Sequence, residues 1–199
     1  MATTTASRAT NGRARVDKVV RSKRGIILDV GCGANKQPGS VGMDHQDIRD
    51  KDGNSLVDVV HDWNVFPWPF EDESVLLIVA SHVVEHVNPA DGHFLDWMNE
   101  VWRILKPGRQ IAIACPYGNN EFFVQDPTHC NPCNQTTWIY FDPEHHSNFY
   151  HFYEPAPFEI VQNLYHTGGM MEVVLRKRLD KAEYHSDGQV KYGPDAIRR

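Results

Sequence analysis

"IILDVGCGANKQPGSVGMD", residues 26–44, decides the fold. An apolar run passes through Asp29 and breaks at Gly31-Cys32-Gly33, and only about ten residues separate these glycines from the next strand-like stretch, which ends at Asp44. Most nucleotide pockets that open this way send a long helix out of the glycines. The interval here is too short for a helix and its connections. The turn therefore asks for a ligand that does not need the helix.

The following segments alternate in character. "LVDVVHD" (56–62) is a short β-branched run ending in acid, and "SVLLIVAS" (74–81) is a continuous apolar run of the kind buried on both faces of a parallel sheet. A helix is predicted next: Asn88 can cap it, Pro89 suits its first turn, and Phe94, Trp97, Met98, Val101, Ile104 and Leu105 recur at helical spacing until Lys106-Pro107-Gly108 stops it. "QIAIACPY" (110–117) reads as another buried strand, "PFEIVQNLYHTGG" (157–169) as a helix closed by Gly168, and "MEVVLRKRL" (171–179) as a last strand. The expected fold class is α/β, a doubly wound, mostly parallel Rossmann-like sheet with a truncated first helix and a long lid insertion after the fifth strand. In such sheets ligands sit beyond the carboxyl ends of the strands. Those ends read Asp29-Val30-Gly31-Cys32-Gly33, Met43-Asp44, His61-Asp62-Trp63, Ser81-His82 and Cys115-Pro116-Tyr117.

With 199 residues, 41% of them apolar, the chain is long enough for one domain with a sizeable core, and it has no apolar run of the about 18 residues that a membrane span needs. Charge is unevenly spread. Residues 1–24 carry a net +6, which leaves about −12 on the remainder of a chain whose total is −6. That segment is Thr/Ser/Ala/Arg-rich without an apolar h-region, so a disordered basic arm is expected rather than a secretory signal. An organellar transit peptide or a nucleic-acid-contacting arm fits the same composition. The domain then spans 25–199, with its lid at about 118–157. Four cysteines without a secretion signal imply reduced thiols, hence an expected cytoplasmic setting, and the lack of a membrane-length apolar run implies no membrane partner.

Asp44 closes the second strand, where a carboxylate can accept both ribose hydroxyls of an adenosine, and Gly31 and Gly33 let the backbone approach the ligand closely. Phosphate binding draws on a helix N-terminus that is missing here, so adenosine without phosphate fits better. An NAD-type pocket wants GxGxxG opening a full helix and an acid about 20 residues on, and neither is present.

With "LDVGCG" (28–33), Asp44, "FPWPFEDESV" (66–75) after "HDW" (61–63), "SHVVEHV" (81–87) and "RILKPGR" (103–109) in this order, the chain resembles the class I S-adenosylmethionine-dependent methyltransferases, especially the small type 11 group. "DPTH" (126–129) and "YFDP" (140–143) resemble segments of phage and bacterial type 11 proteins. The resemblance implies S-adenosylmethionine as cofactor. Asp29, Gly31 and Gly33, with Cys32, would hold the methionine end, and Asp44, with His45 beside it, the ribose. Asp62 would take the adenine amino group beside the Trp63 backbone, and Ser81-His82 would line the pocket floor. Asn35 stands where the family has a third glycine.

Several motifs admit other chemistry. "HVVEH" (82–86) matches the H-x-x-E-H pattern of inverted zinc proteases, which needs a long helix that Asn88-Pro89 interrupts. Families that methylate RNA 2′-hydroxyls or ubiquinone precursors hold a divalent ion with a Glu-x-x-Glu-His cluster and a histidine after the fifth strand. Here His82 replaces the first Glu, and a cage of His82, Glu85, His86 and His129 is weighed against Glu85 and His86 merely capping and packing the helix entry. The latter is favoured, so no metal is expected. Cys130-x-x-Cys133 with His145-His146 offers a second zinc set of unusual spacing, and Cys115 resembles the nucleophile of RNA cytosine-C5 methyltransferases, although a small packed residue accounts for it. The expected function is methyl transfer to an unidentified acceptor, with His82 and His129 as candidate bases. A non-catalytic cofactor-binding module and a metal-dependent hydrolase using His82, Glu85 and His86 are the alternatives. Nucleic acid would enter only through the basic arm.

Overall fold

The computed structural model describes residues 25–178, so the expectations for the 1–24 arm and for the end of the last strand lie outside the described residues. Seven strands, β1 (Ile26–Val30), β2 (Val41–Asp44), β3 (Val59–Val60), β4 (Val75–Ser81), β5 (Leu105–Pro116), β6 (Phe158–Tyr165) and β7 (Met170–Lys177), form one sheet in the order β3-β2-β1-β4-β5-β7-β6. The first five run parallel, with Leu28 beside Val41 and Val30 beside Ala80, whereas β7 is antiparallel to both β5 and β6. Both predicted irregularities are present. No helix joins β1 to β2, and an irregular lid follows β5.

Helix α1 (His93–Ile104) connects β4 to β5 and buries Phe94, Trp97, Met98, Val101 and Ile104 against the sheet, the stripe its spacing predicts. Its start differs from expectation. The Asn88 side chain accepts from the Ala90 N–H at 3.0 Å but caps no α-helix: a 3-10 turn with Pro89 at its N-cap follows at Ala90–Gly92, where Asp91 and Gly92 take left-handed conformations, and the α-helix begins only at His93. The chain turns extended at Leu105, just ahead of Lys106-Pro107-Gly108. In the lid, the short helices α2 (Glu121–Val124) and α3 (Gln135–Ile139) are each capped by an asparagine, Asn120 and Asn134. Trp138 and Phe141 of the lid pack edge-on against Phe94 of α1 and join the core.

The helix expected over 157–169 is instead strand β6, and Gly168-Gly169 closes a hairpin rather than a helix. Gly169 donates to the His166 carbonyl and His166 to the Met170 carbonyl, each at 2.8 Å. Phe158, Ile160, Val161 and Tyr165 are β-branched or aromatic, and a short apolar run of this kind fits helix and strand periodicity equally. The antiparallel partner β7, immediately downstream, decides between them.

One polar knot fixes the segment that follows β3. Arg103 on α1 binds both carboxylate oxygens of Glu100, at 2.9 and 2.6 Å, reaches Asp72, and donates to the carbonyls of Phe70 and Trp68. Glu100, itself buried, accepts the Trp68 N–H at 2.6 Å. These acceptors hold the Arg103 pKa above its ordinary value, the Glu100 hydrogen bond foremost. Arg103→Ala is expected to cost roughly 2–4 kcal/mol, because it leaves the Glu100 charge buried without a cation, and Arg103→Lys to recover only part of this, since an ammonium lacks the guanidinium fork. Chemical denaturation of the three proteins measures both.

Candidate functional site

The carboxyl ends of β1 and β2 meet in a loop organised by carboxylates. Gly31 leaves β1 at φ +64°, and a Cβ there would lie 2.4 Å from Val83 Cγ2, so only glycine fits beneath the turn that follows β4. Gly33, at φ +55°, faces open space, with no protein atom within 4 Å of where its Cβ would be. Asp29 is buried and accepts the Gln37 N–H at 2.8 Å. Burial raises its pKa, against the opposing pull of that hydrogen bond and of Lys36. Asp44, also buried, accepts the Gly33 N–H on Oδ2 and the Gln46 N–H on Oδ1, both at 3.0 Å. His45 Nδ1 lies 3.1 Å from Asp44 Oδ1, and its ring meets Trp63 edge-on at 4.7 Å. Cys32 is buried, and its thiol is pushed up to about 11 by burial and then by the Asp44 and Asp29 charges. Asp62 is exposed, with Oδ1 accepting the Asn64 N–H at 2.8 Å.

A second group gathers where β4 ends against the lid. His82 stands in the left-handed region at φ +57°, and its side chain is 59% exposed. No helix follows. Val84–His86 form a single 3-10 turn, so the H-x-x-E-H segment lacks the long helix of a zinc protease. Glu85 is only 1% exposed, and neither carboxylate oxygen has a hydrogen-bond donor. His82 Nδ1 comes within 3.2 Å of Glu85 Oε1 without the alignment of a hydrogen bond. Burial pushes the Glu85 pKa up to about 7. The Glu85 carbonyl accepts the N–H groups of Cys130 and Asn131 from the lid at 2.8 and 3.0 Å, and Asn131 Nδ2 donates to the Val84 carbonyl at 2.9 Å. This seam carries His129 to His86, with ring centroids 4.7 Å apart. Desolvation, then the neighbouring His129, lowers the His86 pKa.

The site residues singled out in the sequence therefore fall into two neighbouring groups that touch where Val83 covers Gly31. Gly31, Cys32, Gly33, Asp44, His45 and Trp63 make the first. His82 and His129 join the second, with Asp126 and Thr128, which spacing alone did not single out as site residues. Cys130, Cys133, His145 and His146 do not converge. Among the described residues, Glu85, His86 and His129 are the only His/Cys/Asp/Glu group close enough to share an ion. Cys133 is buried beside Cys115, which packs within the core. No helix of the described residues is long and apolar enough to cross a membrane.

No family model matches the sequence, and no curated protein is detectably similar to it. Solved structures are similar in fold. An S-adenosylmethionine-dependent methyltransferase from Archaeoglobus fulgidus superposes with TM-score 0.52 at 16% identity, covering 84% of this chain and 94% of its own. A structure of the Haloferax volcanii Trm112 methyltransferase activator complexed with a methyltransferase gives TM-score 0.51 at 14% identity over 87% and 95%. The [4+2]-cyclase SpnF gives 0.53 at 13% identity over 90% and 84%. The chain has the class I methyltransferase fold.

Glu85→Gln keeps the side-chain shape and removes the charge. The unfolded carboxyl ionises near 4.5 and the folded one near 7, so the native state of the parent keeps full stability below pH 4.5 and loses it as pH rises to about 7. In metal-free buffer the variant should gain on the parent across that interval, by roughly 1–3 kcal/mol at pH 8, and the gain should vanish near pH 4. Melting curves across pH read the difference.

Proposed function

We propose that the chain is an S-adenosylmethionine-dependent methyltransferase. The observation that carries this reading is the pairing of the buried Asp44 carboxylate with the Gly33 amide at adjacent strand ends, below open space. A carboxylate offers about four lone-pair sites, so Asp44 can keep its backbone donors and still accept two ribose hydroxyls. Gly33 leaves room for the methionine end, near Asp29 and Cys32. Asp62 would use Oδ2 for the adenine amino group, and His45 and Trp63 would flank the base and sugar. The absence of a helix after Gly33 supports a ligand without phosphate. Likeness to methyltransferases supports the same reading, while the cyclase neighbour is a reminder that this fold hosts other reactions.

The reaction needs in-line attack on the sulfonium methyl. The acceptor atom forms a bond to carbon while the carbon–sulfur pair returns to sulfur, leaving a neutral thioether. Most of the acceleration comes from holding the two reactants in line. Where the acceptor carries a proton at neutral pH, His82 is placed to take it. It stands at the end of β4 beside the Gly31 turn with an exposed ring, and Glu85 lies behind it. The aromatic, partly exposed lid residues Phe122, Phe152 and Tyr153 would receive the acceptor.

S-adenosylhomocysteine should bind in calorimetry and raise the melting temperature by mass action, and NAD should do neither. Asp44→Ala should weaken binding by about 1.5–3 kcal/mol, the scale of hydrogen bonds to a charged group. Gly33→Val should abolish binding by filling the open space, whereas Gly31→Val should destabilise the fold itself by striking Val83. Parent-like affinity in Asp44→Ala, or NAD binding, would remove the assignment. In an acceptor assay, His82→Ala should lower kcat by about 10²–10⁴ while leaving cofactor affinity unchanged.

A further inference from the structure

Successive residues of a strand point to opposite faces of the sheet, and residues paired across neighbouring strands share a face, so the register sorts the side chains. One face carries Leu28, Ile78, Ile111, Ile113, Val173 and Leu175, none more than 2% exposed, against α1 and the lid. On the other face Leu77 stands between Ile27 and Gln110, and Ala112 between Val79 and Val174. Leu77, Val79, Ala112, Ala114 and Val174 are only half-buried, and Ile27 is 37% exposed. A parallel sheet of apolar strands is ordinarily covered on both faces.

Handedness accounts for the open face. The strand order makes the chain step one way from β1 through β2 to β3 and the opposite way from β4 to β5. Right-handed crossovers therefore put α1 on one face and any helix joining β1, β2 and β3 on the other. Neither of those two connections contains a helix. The β1–β2 loop covers this second face at Asp29, through the Gln37 N–H, and at Gly42, where Cys32 and Lys36 lie. The apolar residues of β4, β5 and β7 are left half-buried beyond it.

We propose that this face is the interface of a symmetric dimer of the chain. Charge favours a second copy. Residues 179–199 are neutral, with four acids against four bases, so the −12 of the chain beyond residue 24 falls on 25–178. Glu159, Arg176 and Glu172 are the charges of β6 and β7 on the open face. Arg176 pairs with Glu159 at 3.0 Å, and Glu172 lies 3.3 Å from His166. Two acidic domains meet with least repulsion across such a nearly neutral surface. Relief favours it too. Ala112 and Ala114 on β5 form a valley between Leu77 and Val79 on β4 and Val174 on β7. A two-fold axis along the strands, between β4 and β5, lays the β4 ridge of each copy in the β5 valley of the other, so that Val79 meets the partner's Ala112 in an isologous contact. Three rows of residues on five strands span roughly 20 by 24 Å at the spacings of a sheet. That is about 500 Å² of flat footprint on each copy and about 1,000 Å² in all, where specific interfaces begin. The chain outside 25–178 offers less: residues 1–24 have Met1, Val16, Val19 and Val20 as their large apolar residues against seven cations, and residues 179–199 have Leu179, Val190 and Ile197 beside two tyrosines.

Sedimentation equilibrium of the full-length protein across the micromolar range should give twice the chain mass, and the melting temperature should rise with protein concentration. Val79→Lys and Ala112→Glu should each weaken association by about tenfold or more, because each buries a charge without a partner. Mixed in equal amounts they should recover the dimer, since the ammonium of one then meets the carboxylate of the other. Val124→Glu, at a lid position 75% exposed, should leave the mass at twice that of the chain. Cooperative melting of every variant checks that it is folded. A full-length protein that keeps the single-chain mass overturns the dimer. Thiol labelling of Ala112→Cys then says what takes its place: slow labelling assigns the face to the chain's own residues outside 25–178, and fast labelling to a different protein. A dimer that survives both charged substitutions, or two folded variants that do not recover it on mixing, overturns the interface as well. None of these readouts involves S-adenosylmethionine, so the dimer and the methyl-transfer reading stand or fall separately.

Discussion

The contact between Gly31 and Val83 is the constraint on which the rest of the arrangement depends. β1 and β4 are neighbours in the parallel sheet, and the chain leaves both at the same end. At that end the Val83 side chain lies where a Gly31 Cβ would be. Two turns can cross so closely only if one has no side chain and adopts positive φ, which glycine does at little cost. Because the turns are pressed together, the Asp44–Gly33 pair and the His82–Glu85–His86 segment become neighbouring corners at one end of the sheet. Donor and acceptor must meet within bonding distance, so this adjacency is what a transfer reaction requires of the fold.

Across this contact the two corners differ in hydrogen-bond character. On the β1–β2 side the carboxylates are fed by backbone amides: Gln37 to Asp29, Gly33 and Gln46 to Asp44, and Gly42 to Asp58. On the β4 side no surrounding protein group donates to the Glu85 carboxyl oxygens, which lie beside His86 and His129. The first corner is satisfied as it stands and can add neutral hydroxyls. The second has unspent acceptor capacity in a place largely closed to water, which favours cations and protons over neutral ligands. A donor carrying a sulfonium and an acceptor losing a proton would place positive charge between the two.

Several strand ends were legible in the sequence because an apolar stretch gives way abruptly to a polar residue, as Met43-Asp44 and Ala80-Ser81 do. The apolar face of α1 was legible for the same reason of periodicity. β6 was not, because Phe158 to Tyr165 satisfies two periods, and only its pairing with β7 selects one. The donorless corner was half legible. Spacing placed Glu85 and His86 together, but nothing local in "DPTH" announces that Asp126 orients Thr128, that Thr128 orients His86, or that Phe123 orients His129. Those relations depend on a lid that folds back across the end of β4, over more than forty residues of chain. Gly31 and Gly33 looked equivalent in the sequence, yet one is filled by protein and the other opens outward.

A helix after the first strand would distribute its order over a dozen backbone hydrogen bonds, none of which depends on a particular side chain. Here that order is concentrated in three carboxylates. Asp29 ties down Gln37, Asp44 ties down Gly33, and Asp58 binds both Gly42 and the Lys36 ammonium. Mutational tolerance should be distributed accordingly. The intervening Ala34, Asn35 and Pro38 should tolerate exchange, Gly39 should not do so freely because its φ of +79° is left-handed, and exchange of an acid for its amide at any of the three anchors would loosen the whole crossing. A crossing built this way relies on a few supports that cannot vary instead of many weak, interchangeable ones, so sequence change would be channelled into the loop rather than its moorings.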